Sequence, residues 1–178
     1  FLRKLSAEGG LHFSAGNVSL STCGLVPEMK KFASEGIPVN LTVSLHAVTD
    51  GERKRTMPVA NKYKIKEILD ACAVYFRATG RRYIFEYSLI SGENSDEEHA
   101  LALAKLLKGK PCHVNLIRLN EVKERDLNTV SEKEAYRFLG VLEKQGISAT
   151  LRRSMGSDIG GACGQLRATV LKEEGGSV

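Results

Sequence analysis

Five short runs rich in β-branched and aliphatic residues, Asn17 to Thr22, Val39 to Leu45, Tyr83 to Ile90, His113 to Leu119 and Ser148 to Leu151, alternate with longer segments of helical periodicity. This alternation constrains the fold more than any other feature of the chain. Neighbouring parallel strands cannot be joined by a tight turn, so a strand, helix, strand order implies βαβ crossovers and a parallel sheet. Ile65, Ile68, Leu69, Cys72, Tyr75 and Phe76 share one face of a helical segment at i, i+3, i+4, i+7 spacing, which predicts a core stripe. Ser95 with Glu98, and Ser131 with Glu134, match the capping box and predict two further helix starts. Pro27 suits the first turn of a short helix, and Gly36, Gly109 and Gly146 follow periodic segments where a left-handed residue closes a helix. With 178 residues, 42% of them apolar, and no linker or low-complexity tract, residues 1–178 read as one α/β domain.

Where the polar residues fall decides between kinds of α/β sheet. GxGxxG and Walker A loops are absent. Polar groups instead end or follow the strands: Ser21 and Thr22, Ser44 and His46, Ser88 and Ser91, Asn115 and Asn120, then Arg152, Arg153 and Ser154. A ring of strand C-terminal ends is where barrel enzymes build their sites. Five strands cannot close the eight-stranded barrel, so the expectation is a partial (βα) barrel of about five mostly parallel strands with helices outside and an exposed edge. That edge, near Asn17 to Thr22, is expected to pair with another chain.

Charge and cysteine usage exclude several classes. No apolar run approaches the ~20 residues of a membrane span, and Phe1 to Glu8 lacks the h-region of a secretory signal. No membrane association and a cytoplasmic location are the expectation. Cys23, Cys72, Cys112 and Cys163 are too scattered for a metal-ligand motif or a disulfide framework, so no metal is expected on this chain. Cys72 on the helix stripe and Cys112 beside a strand read as packing residues, and Cys23 is left open. The net charge of +5 permits nucleic-acid binding without requiring it. Arg53, Lys54, Arg55, Lys62, Lys64 and Lys66 form the densest basic stretch, either a phosphate contact or a solvated helix face.

The loop from Met155 to Leu166 holds four glycines in the nine residues from Gly156 to Gly164, which gives a backbone able to approach a ligand closely. Cys163 within it follows Arg152 and Arg153, neighbours that can stabilise a thiolate; the alternative is a loop that holds phosphate through its amides. His46 can be a ligand, a base or a capped strand-end histidine.

Read together, Val18-Ser19-Leu20-Ser21-Thr22-Cys23-Gly24-Leu25-Val26-Pro27, Val43-Ser44-Leu45-His46-Ala47, Arg55-Thr56-Met57-Pro58, Phe85-Glu86-Tyr87, Pro111 to Ile117 and the Asp158 to Leu166 loop resemble the radical-SAM methyltransferases that modify ring carbon two of an adenine in large-subunit ribosomal RNA. The resemblance runs from about Asn17 to Arg167. It implies a radical-SAM partial barrel and a dual-specificity methyl transfer from S-adenosylmethionine to ribosomal RNA and tRNA. In the implied chemistry Cys163 takes a methyl group by displacement, and a deoxyadenosyl radical made on a 4Fe-4S cluster then activates that methyl for addition to the adenine. Such a route suits an aromatic amidine carbon, which is no nucleophile. Ser21, Ser44, Leu45, His46 and Asn120 are implied contacts of S-adenosylmethionine.

The cluster-binding CxxxCxxC motif and the Gly-Glu-Pro motif of that family are absent from this sequence. The chain therefore resembles the C-terminal part of such an enzyme and is expected to be inactive alone. A non-catalytic RNA-binding remnant, and the related branch that methylates carbon eight of the same adenine, are the alternatives.

Overall fold

The computed structural model describes residues 1–6, 13–118 and 129–152. After a short helix α1 (Leu2–Ser6), the elements run β1 (Ser19–Thr22), α2 (Val26–Ser34), β2 (Asn40–Ser44), α3 (Asp50–Thr56), α4 (Ile65–Thr79), β3 (Tyr83–Leu89), α5 (Glu97–Leu107), β4 (Cys112–Arg118), α6 (Glu132–Lys144) and β5 (Ala149–Leu151). The five strands form one sheet in the order β1-β2-β3-β4-β5, with every neighbouring pair parallel. Sequential order with crossovers of one hand puts the connecting helices on a single face, as in a barrel and unlike a doubly wound sheet. The strands lie within a residue or two of their expected positions, except that Asn17 belongs to a 3-10 turn (Ala15–Asn17) before β1.

The helix-covered face carries the core. Tyr83, Phe85, Tyr87 and Leu89 alternate along β3 and are all buried, as are Cys112, Val114 and Leu116 along β4. From α4, Ile65, Ile68, Leu69, Cys72 and Tyr75 meet this face, with Phe76 packed at its margin, so the predicted stripe is the core side of that helix. Tyr87 stacks on Phe138 with centroids 5.5 Å apart and so seats α6 against β3. The Tyr75 hydroxyl donates to the carbonyl of Val39 at 2.8 Å, tying α4 to the start of β2.

Helix ends follow the sequence with one correction. Thr49 and Glu52 form a capping box on α3, and Ser131 and Glu134 form the expected one on α6. For α5 the cap is Asp96, not Ser95: its carboxylate accepts from the His99 N–H at 2.8 Å. An ionised aspartate also complements the positive end of the helix, which a serine cannot do. Pro27 lies in the first turn of α2, and Gly36, Gly109 and Gly146 adopt left-handed backbone after their helices.

Candidate functional site

Opposite the helices, the sheet presents polar side chains in register. Ser44 on β2 pairs with Glu86 on β3, Glu86 with Asn115 on β4, and Asn115 with Thr150 on β5, giving one row across four strands. A second row runs Ser21, Thr42, Ile84 and His113. Successive side chains of a strand point to opposite faces, so these rows are the other half of the alternation that buries Tyr83, Phe85 and Tyr87. The rows are partly closed by their own interactions. His113 meets the hydroxyls of Ser148 and Thr150 through its two ring nitrogens, at 2.8 and 2.7 Å, and the Arg152 guanidinium donates to the Glu86 carboxylate at 3.1 Å. Arg152, expected beside Cys163, is thus engaged across the sheet.

The end of β2 is the most constrained part of this face. His46 has φ +57° and is the only non-glycine among the described residues in the left-handed region. Such backbone costs of the order of 1 kcal/mol and collects at functional sites. Three groups hold it there. Its Nδ1 accepts from the Ser88 N–H at 3.1 Å, its own N–H donates to the Glu86 carbonyl at 3.3 Å, and its carbonyl accepts from Asn94 Nδ2 at 3.4 Å. A ring nitrogen that accepts carries no proton, so the neutral ring bears its hydrogen on Nε2 and offers a donor there. Burial, aided by the positive charge of Arg53, pushes the His46 pKa down to about 4, which keeps the ring in that form at neutral pH.

Asn94 and Arg53 complete the frame. Buried Asn94 accepts from the Ile90 N–H at 2.7 Å and donates to the Ser88 carbonyl at 2.9 Å, bridging the end of β3 to the His46 turn. Arg53, the fourth residue of α3, is fully buried and donates to the carbonyls of Cys23, Ser44 and Leu45 at 2.6, 3.1 and 3.2 Å. It therefore does not belong to the solvated basic stretch in which its sequence neighbours placed it. A capped helix start puts its fourth residue back toward the strand it follows, a signal that was available but easily outweighed by the run of cations around it.

The structure brings Ser21, Ser44, Leu45 and His46 to the ends of two adjacent strands. Ser21 is exposed on the open face, and Ser44 lies on the same face two positions beyond Ser21's partner Thr42. Leu45 turns its side chain into the core, and its N–H already donates to the Glu86 carbonyl at 3.0 Å. Asn120 and Cys163 lie outside the described residues. Cys72 and Cys112 are buried packing residues, burial raising both thiol pKa values, Cys112 to about 11. Cys23 is exposed at the end of β1.

Two groups implied by the resemblance can be tested against these side chains. Among the described residues no three His, Cys, Asp or Glu side chains converge as a metal site, so those residues do not fit an iron-sulfur cluster. S-adenosylmethionine is different: its ribose, carboxylate and amine need hydroxyls, hydrogen-bond donors and an acid, which Ser21, Ser44, His46 and Glu86 supply at one end of the sheet.

The fold is shared by solved structures. A radical SAM methyltransferase from Sphaerobacter thermophilus superposes with a TM-score of 0.87 at 45% identity, covering 94% of this chain and 49% of that one. A domain of a pyruvate-formate lyase-activating enzyme from Bacteroides vulgatus ATCC 8482 shares the fold alone, with a TM-score of 0.54 at 18% identity over 75% of this chain. The fold is therefore that of the radical SAM methyltransferase. Among curated proteins, the chain is 51% identical over 175 residues to the probable dual-specificity RNA methyltransferase RlmN of Clostridium perfringens (strain 13 / Type A), spanning 98% of this chain and 50% of the relative. It is 53% identical over 167 residues to the protein of the same description from Clostridioides difficile (strain 630), spanning 94% and 49%. No family model matches the chain. Along nearly its whole length the chain is similar to these dual-specificity RNA methyltransferases, and it spans about half the length of the curated relatives it matches.

Proposed function

We propose that this chain forms the cofactor-facing and methyl-carrying part of a radical-SAM RNA methyltransferase that acts on an adenine of ribosomal RNA and tRNA at ring carbon two, in the cytoplasm. The observation that carries this reading is identity of about half the residues along nearly the whole chain with proteins described as probable dual-specificity RNA methyltransferases. S-adenosylmethionine, when bound, supplies the methyl group. Ser21 and Ser44 would hold it through their hydroxyls and His46 through its Nε2–H, with Asn120 as a further contact. The His46 ring is already held by the Ser88 N–H, so it has little side-chain order to acquire on binding. Cys163, as a thiolate, would be the residue that receives the methyl group. An iron-sulfur cluster has no ligand set among the described residues, and the isolated chain is expected to be catalytically silent.

The test is a hybrid in which this chain replaces the matching half of the Clostridium perfringens relative. With methyl-labelled S-adenosylmethionine and ribosomal RNA or tRNA, the hybrid should label the RNA, and nucleoside analysis should give 2-methyladenosine. Label recovered as 8-methyladenosine would assign the chain to the carbon-eight branch. Salt-sensitive RNA binding without any labelling would favour a non-catalytic RNA-binding role.

A further inference from the structure

Arg53 is unlike any other charged side chain among the described residues. It is fully buried, forms no ion pair there, and spends its donors on backbone carbonyls at the ends of two strands. Its remaining nitrogen, Nη1, is buried and has no partner among the described residues. A buried guanidinium with an unmet donor is costly, and apolar residues of similar volume commonly replace buried charges at no loss of stability. The carbonyls it holds belong to Cys23, which follows β1, and to Ser44 and Leu45, which lead into the strained His46 turn.

The surroundings are built to admit it. Gly24 adopts φ +96°, and a Cβ there would come within 3.1 Å of Arg53 Nη2 and 2.7 Å of the Ile68 side chain. A side chain there would be strained at that φ and would press on both Ile68 and the guanidinium that reaches the Cys23 carbonyl. The helix that carries Arg53 is fixed by its own capping box, and the Asp50 carboxylate accepts from the Ile65 N–H at 2.7 Å, anchoring α3 to α4. The arginine is thus a rigid fork between two strand ends that no backbone hydrogen bond joins beyond Thr22 and Val43, the last registered pair of β1 and β2.

We propose that Arg53 is the positioning residue of this site: by clamping the carbonyls of Cys23, Ser44 and Leu45 it sets the ends of β1 and β2 relative to each other and holds His46 in the turn where Nδ1 accepts from Ser88 and Nε2–H is presented as a donor. The significance for S-adenosylmethionine rests on the reading given above; the clamp itself does not. A planar fork reaching three carbonyls from two segments is a task for arginine and not for lysine, whose ammonium has no comparable span.

The test uses the chain with its histidines labelled with nitrogen-15. At neutral pH the wild type should show His46 as a single Nε2–H tautomer, with the Ser88 amide protected from exchange. Arg53→Met should mix the tautomers and speed Ser88 exchange by about tenfold or more, while the core amides of Phe85 and Val114 keep their protection. Arg53→Lys, which retains the charge, should move both readouts in the same direction. Gly24→Ala, which crowds the fork without removing it, should do likewise. An unchanged His46 tautomer and Ser88 exchange rate in folded Arg53→Met would overturn the proposal. So would global loss of protection in Arg53→Lys and Gly24→Ala, which would make the arginine a general determinant of folding. A hybrid enzyme without activity would count against the methyltransferase reading and leave these measurements intact.

Discussion

His46 shows how one residue joins backbone strain, tautomer and stability. Its strand-end position was legible from Ser44-Leu45-His46-Ala47, because alternation put Leu45 inward and left its neighbours facing the other way. Its left-handed φ, its Ser88 partner and its proximity to Arg53 were not, since they depend on residues from 7 to 48 positions away. The lowered pKa fixes a pH dependence. The unfolded ring titrates near 6.5 and the folded ring near 4, so below 6.5 the unfolded state binds more protons and stability falls as the pH drops to about 4. The loss amounts to a few kcal/mol at most and begins only below pH 6.5. Denaturant unfolding from pH 7 to 4 should show His46→Gln losing less stability than the wild type over this window. Parallel pH profiles for the two proteins would contradict the assignment.

Elements were more legible than their ends. The five strands and the α4 stripe followed from residue periodicity, which reports burial directly. The start of α5 did not, because Ser95 and Asp96 are both good caps and only the packed backbone decides which one faces the third amide of the helix. Asp96→Ala should lower stability by about 1 kcal/mol, whereas Ser95→Ala should change it by a few tenths; thermal unfolding of the two variants distinguishes them. The same dependence on packing sets Arg53 apart from the basic stretch around it. The sequence of α3, with three cations in its last turn, describes a solvated face, but Arg53 lies on the side turned toward β1 and β2. The polar row from Ser44 to Thr150 was only partly visible: Ser44 and Asn115 stood out as strand-end groups, while Glu86 and Thr150 join them through register between strands.

At the scale of the whole molecule, parallel strands in sequential order make an open sheet with β1 at one edge and β5 at the other among the described residues. Edge strands carry unpaired backbone groups, so we expect the chain to associate with another copy through β1, and sedimentation should reveal a dimer. A strictly monomeric species at the same concentrations would count against edge pairing. The chain spans about half the length of its curated relatives and contributes a polar sheet face, a strained histidine turn and the Cys163 segment to the proposed reaction. The division of labour between the halves can be tested at one atom. In the hybrid methyltransferase containing this chain, replacing Cys163 by alanine should abolish methyl transfer to RNA while the cluster absorbance of the hybrid stays unchanged. RNA methylation retained in Cys163→Ala would contradict the account.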